Sequence, residues 1–167
     1  MNSIPLRLLP IALLAATLSA GPLHAATWDN GLRFFEGRTE SVGIVKVLMK
    51  APYRMRSIGI GKITPSGILE LFQRVEEQGQ PTHDRHWRIR QVGPGRFVGT
   101  MSEAKGPVTV DEIDGRFRFR FKIKNNLAVE QWLAPRPDWK SARNMVTVRK
   151  FGITVASSDG TITKTGD

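Results

Sequence analysis

The chain has 167 residues, a formal net charge of +10 and no cysteine. Disulfide frameworks, thiolate metal sites, cysteine nucleophiles and a lipid-modified cysteine are therefore excluded. The excess of lysine and arginine predicts attraction to anions, while the size fits one domain with a core of its own.

The N-terminal stretch MNSIPLRLLPIALLAATLSAGPLHAATW opens with one cation, Arg7, continues through the apolar run from Leu8 to Leu18, and ends in small residues around Ala25 and Ala26. This is the pattern of a secretory signal peptide, and the run, interrupted by Pro10, is short for a membrane span. Cleavage after Ala25 is expected, giving a signal peptide over 1–25 and one domain over 26–167. The mature chain keeps a formal +9, because Arg7 is the only charged side chain in the leader. A soluble periplasmic protein, monomeric and in contact with anionic envelope components rather than nucleic acid, is the expectation.

Beyond the leader, alternation dominates. Phe34 and Phe35 are expected to cap one end of a core, and a first strand starts near Arg38 and carries Val45 and Val47 at a spacing of two. Pro52 ends it. Arg54 to Thr64 resumes the alternation, Pro65-Ser66-Gly67 turns the chain, and Ile68 to Glu76 returns with Leu69, Leu71 and Val75 on one face and Ile68 and Phe72 on the other, so its inward side stays open. A polar loop is expected from Glu76 to Asp84. Arg85 to Val92 and Arg96 to Met101 form the next pair across Gly93-Pro94-Gly95, with Trp87, Ile89 and Phe97 inward.

Val108 to Ile113 leads through Asp114-Gly115, a two-residue hairpin signal, into the most regular segment, RFRFRFKIK from Arg116 to Lys124. Its strand period sends Phe117, Phe119, Phe121 and Ile123 to one face and Arg116, Arg118, Arg120, Lys122 and Lys124 to the other. Asn125-Asn126 supplies a turn into Leu127 to Ala134. A loop from Pro135 to Ser141 follows, then strand pieces at Asn144 to Lys150 and Ile153 to Ala156, broken at Gly152. A final turn is expected at Asp159-Gly160 before Thr161 to Lys164.

Nine or ten short strands with regular turn signals, and no amphipathic helix after the leader, predict an all-β fold. Sequential hairpins favour an antiparallel up-and-down barrel of about 8–10 strands over a Greek-key sandwich, because neighbouring strands would pair in space and closure removes the sheet edges.

Six blocks in order, FFEGRTESVG (34–43), RHWRI (85–89), RFVGT (96–100), KGPV (105–108), VEQWL (129–133) and VRKFG (148–152), resemble the bacterial envelope family catalogued as domain of unknown function 3833. The resemblance spans the mature chain. It implies a lipocalin-like, calycin-type barrel with an uncharacterised envelope role and transfers no catalytic residue. Many members of that family look like lipoproteins, whereas this chain has no cysteine to lipidate.

Two sets of residues are candidates for function. Trp87, Phe97, Phe117, Phe119, Phe121 and Trp132 would either fill the barrel or line a cavity for one apolar ligand, with the glycines at 43, 59, 61 and 99 leaving room. Arg116, Arg118, Arg120, Lys122 and Lys124 would either contact an anionic membrane or pair with acids on adjoining strands, such as Asp111 or Glu130. The HDRH run at 83–86 is not expected to bind metal, because its histidines point to opposite faces of an extended segment. With no G-x-S-x-G and no P-loop spacing, no cofactor, metal or catalytic residue is expected and the chain reads as a non-enzyme. Binding or transport of a hydrophobic or amphipathic envelope molecule is the expected function. The alternative is a structural or stress-related accessory protein with a filled barrel and surface contacts to anionic membrane components.

Overall fold

The alternating segments form ten strands: β1 (Gly37–Val47), β2 (Tyr53–Ile63), β3 (Ile68–Glu77), β4 (His83–Gly93), β5 (Arg96–Met101), β6 (Val108–Ile113), β7 (Arg116–Ile123), β8 (Leu127–Pro135), β9 (Ser141–Lys150) and β10 (Ile153–Gly166). Among the described residues, one short helix, α1 (Asn30–Arg33), precedes them. The computed structural model describes residues 30–166, so the expected signal peptide and its cleavage site lie outside the described residues. Every strand pairs antiparallel with the next, and β10 pairs with β1, so the sheet closes into an up-and-down barrel without a free edge.

Closure gives the barrel two unlike ends. The β2–β3, β4–β5, β6–β7 and β8–β9 connections lie at the end where β1 begins, and the other five turns lie at the opposite end. The first end is plugged. The chain leaving α1 folds Leu32, Phe34 and Phe35 into the barrel, where the two phenylalanine rings meet edge to face at 5.2 Å. Lys164 near the end of β10 donates from Nζ to the Glu36 carbonyl at 2.8 Å, tying the plug to the wall. The Phe35 carbonyl occupies the space that a Cβ on Gly61 would need, so any larger residue at 61 would displace the plug. Next to it Phe97, Val110, Phe117 and Leu133 form a filled layer of core, with Leu69 and Ile89 at its boundary with the space beyond.

The inward side of β3, open from sequence, is the Leu69, Leu71 and Val75 face. Phe72 points out and packs edge to face on the His86 ring at 4.6 Å. The expected polar loop at 76–84 is shorter, because β3 runs to Glu77 and His83 already begins β4.

A larger correction concerns Asp159-Gly160, which does not turn the chain: β10 runs through it without a break. Both residues serve neighbouring strands instead. Asp159 accepts two hydrogen bonds from Arg143 on β9, at 3.1 and 2.6 Å, and Gly160 sits where a Cβ would collide with the Val42 carbonyl of β1. The expectation that glycines open space inside the barrel is also corrected. Backbone or side-chain atoms of neighbouring strands already crowd Gly43, Gly59 and Gly99, and the plug's Phe35 carbonyl crowds Gly61.

On the outer face Arg56 Nε donates to Glu40 Oε1 at 2.6 Å across the β1–β2 pair. That hydrogen bond, reinforced by the guanidinium charge, holds the Glu40 carboxyl below its ordinary 4.5. A lowered folded-state value means that the pair's contribution is present above the ordinary value and is lost as pH falls through the folded one. Arg56→Gln is therefore expected to return the Glu40 titration, followed by NMR, toward 4.5. An unchanged titration would show that the pair does not form in solution.

Candidate functional site

On the side of the filled layer away from the plug, the barrel is not full. A cavity of about 340 Å³ opens toward the end bearing the β1–β2 and β7–β8 turns. Its volume falls at the lower edge of the range of roughly 300–1,000 Å³ that small-molecule pockets occupy.

The cavity has two unlike walls, set by which strands face each other. One is aromatic and apolar: Trp87 on β4 meets Phe119 and Phe121 on β7 edge to face at 6.2 and 5.7 Å, with Leu71 and Met101 beside them. The other carries neutral hydrogen-bonding groups. Ser41 on β1 and Ser57 on β2 are directly opposed in register, Ser158 follows on β10, and Asn144 on β9 bonds Gln131 on β8. The Gln131 amide donates to Asn144 Oδ1 at 2.8 Å, and Trp87 Nε1 donates to Gln73 Oε1 at 2.7 Å. These internal bonds satisfy part of each amide and leave further donor and acceptor capacity facing the cavity.

Among the described residues that line the cavity, charge appears only toward the mouth. Arg85 Nη2 donates to Glu103 Oε2 at 2.9 Å, and His83 Nε2 lies 3.1 Å from Glu103 Oε1. Glu77 and Tyr53 stand on the neighbouring strands. Burial first, and the Glu77 carboxylate second, push the Tyr53 phenol above its ordinary 10.0, so its hydroxyl stays protonated and available as a donor at neutral pH.

Of the six aromatics expected inside, Trp87, Phe119 and Phe121 line the cavity. Phe97 and Phe117 belong to the filled layer, packed on each other at 6.3 Å. Trp132 is a correction: it faces outward on β8, with the Arg116 and Arg118 guanidinium groups over its ring at 5.1 and 5.7 Å. Register is the reason, since Trp132 pairs with Arg118, whose side chain also points out. The polar wall and the mouth charges have no counterpart in the sequence-based expectation.

The basic face of β7 divides. Arg118 and Arg120 both reach Asp111 Oδ2 on β6, at 3.4 and 2.8 Å, whereas Glu130 lies near Arg149 instead. Lys122, and Lys124, which lies in the turn after β7 rather than on the strand, are nearer the open end and have no carboxylate within 4 Å among the described residues. The HDRH run starts β4 and is not a free loop: His83 faces the mouth and His86 the outer surface.

No family model matches the chain, and no curated protein matches it by sequence. Solved structures do match. The S-type phycobiliprotein lyase CPES from Guillardia theta aligns with a TM-score of 0.67 at 8% identity, over 83% of this chain and 93% of that one. Rv2717c from M. tuberculosis aligns with a TM-score of 0.61 at 12% identity, over 84% of this chain and 98% of that one. The likeness to the lyase overturns the expectation of a non-enzyme, because a barrel of this shape also serves a protein described as a lyase, and missing motifs are no ground for excluding catalysis. At these identities the likeness establishes the fold alone: the chain is a lipocalin-like β-barrel.

Proposed function

We propose that the protein binds one small amphipathic molecule inside the barrel, with the apolar side of the ligand against Trp87, Phe119 and Phe121 and its neutral polar groups against Ser57, Gln131 and Asn144. The observation that carries this reading is the division of one cavity into an aromatic wall and an amide and hydroxyl wall. A purely structural barrel gains nothing from an unfilled interior, since unfilled apolar volume forfeits packing energy. The filled barrel of the alternative expectation does not match this interior.

On this reading the N-terminal stretch exports the chain to the periplasm, and the ligand is an envelope lipid or a similarly amphipathic compound. The secretory pattern before Thr27 and the six-block resemblance to an envelope family support that placement. A charged head group would fit the mouth, where Arg85 and Glu103 offer both signs, better than the neutral interior.

Native mass spectrometry of the protein recovered from its own cells tests this. A single adduct per chain, released on denaturation and soluble in organic solvent, is expected. A bare chain mass that stays unchanged after incubation with single-chain amphiphiles would overturn the reading.

A further inference from the structure

Five turns ring the open end, and those joining β1–β2, β9–β10 and β7–β8 follow one another around the barrel, because β10, β9 and β8 stand in that order between β1 and β7. Two of the three project bare apolar side chains. Leu48 and Met49 are 61% and 96% exposed on the first, and Phe151 and Ile153 are 88% and 67% exposed on the second. The tips are adjacent, since the Leu48 amide donates to the Val155 carbonyl at 2.9 Å.

Turn chemistry does not ask for these residues. Phe151 and Gly152 both have positive φ, 50° and 83°, the two-residue hairpin geometry that favours Asn-Gly or Asp-Gly. The plugged end builds the same kind of turn with Asp114 and Gly115, at 51° and 71°. Met49 is likewise left-handed at 62°. A bulky side chain in that region is strained and here stays exposed among the described residues, so both terms disfavour it unless something else covers it.

Charge identifies the cover. Stretches 44–54, 121–129 and 147–157, which form these three hairpins, hold seven lysines and arginines and not one aspartate or glutamate. Lys50 and Lys124 have no carboxylate within 4 Å among the described residues, whereas Arg118, Arg120 and Arg143 elsewhere on the wall are paired. Lys150 Nζ lies 5.8 Å from the Phe151 ring, so cation and apolar tip share one site.

We propose that this sector of the rim docks on an anionic phospholipid bilayer, with Leu48, Met49, Phe151 and Ile153 entering the boundary between head groups and acyl chains and the lysines held at phosphate level. Narrow apolar tips ringed by cations of one sign match a soft anionic surface; a protein partner is met by a broad packed patch with satisfied polar groups. The rim alone carries the proposal, which stands independently of ligand binding in the cavity.

The absence of cysteine from the whole sequence permits single labels. A nitrobenzoxadiazole dye on Phe151→Cys is expected to shift to the blue with phosphatidylcholine vesicles containing phosphatidylglycerol, and the same dye on Asp114→Cys is not. In sedimentation, Lys50→Gln and Lys150→Gln are each expected to weaken binding to those vesicles about fivefold. The double variant Met49→Asn, Phe151→Asn suits its left-handed turn positions, so it should fold as judged by circular dichroism, and it is expected to lose about tenfold or more. Wild-type protein that fails to sediment, equal binding by the double variant, or a blue shift at 114 and none at 151 would each overturn the proposal. Self-association that Phe151→Asn abolishes without vesicles would overturn it in favour of a second copy of this chain.

Discussion

Phe34→Ala is expected to cost about 3–5 kcal/mol of stability, the largest single loss that truncating one aromatic should cause in this barrel. Phe34 is 2% exposed and closes the plugged end together with Phe35, whose carbonyl in turn fills the space beside Gly61. Truncation removes its transfer energy and leaves a void that a closed sheet cannot collapse to fill, because every strand is pinned on both sides. In a domain of this size the melting temperature should fall by roughly 10 °C, and urea denaturation should give the same ranking. Phe72→Ala is the control, since Phe72 is 39% exposed on the outer face, and it is expected to cost about 1 kcal/mol or less. Equal losses from the two variants would mean that the plug is not part of the stable fold.

Val146→Trp tests the other end. Val146 lines the cavity on β9, opposite Gln131 in the register and across the barrel from the aromatic wall. An indole there would enter empty volume, so the overpacking cost of roughly 1–3 kcal/mol usual for a filled core should be largely absent. The variant is expected to keep its melting temperature while its affinity for N-phenyl-1-naphthylamine, followed by probe fluorescence, drops about tenfold or more. Unchanged affinity would place the probe on the outer surface. A large loss of stability would mean that the interior is already filled in solution.

Local periodicity made the wall of this barrel readable. RFRFRFKIK specifies both faces of β7 by itself, and Phe117, Phe119, Phe121 and Ile123 do point in. Trp132 departs from the rule that an aromatic is buried, and Glu130, two residues earlier, marks that face of β8 as outward. Asp159-Gly160 carries turn chemistry in every local respect. Its actual role depends on Arg143 and Val42, partners distant in sequence that no local rule can see.

The polar wall was hidden for a related reason. Polarity alone assigns such residues to solvent, so Ser57, Gln73, Gln131 and Asn144 read as exposed positions, although each shares its strand's inward period and lines the cavity once the barrel closes. The rim was hidden by the opposite bias. Leu48, Met49, Phe151 and Ile153 look like ordinary strand ends, and only the pairing of β10 with β1 brings them together at one end of the barrel.

The divided cavity is tested most directly by a crystal structure of the protein with a brominated single-chain amphiphile, in which anomalous scattering locates the bromine. The account predicts a bromine peak inside the barrel between Trp87 and Val146, with the polar end of the amphiphile toward Arg85 and Glu103. Bromine found only on the outer surface, with side chains filling the space between those two residues, would contradict it.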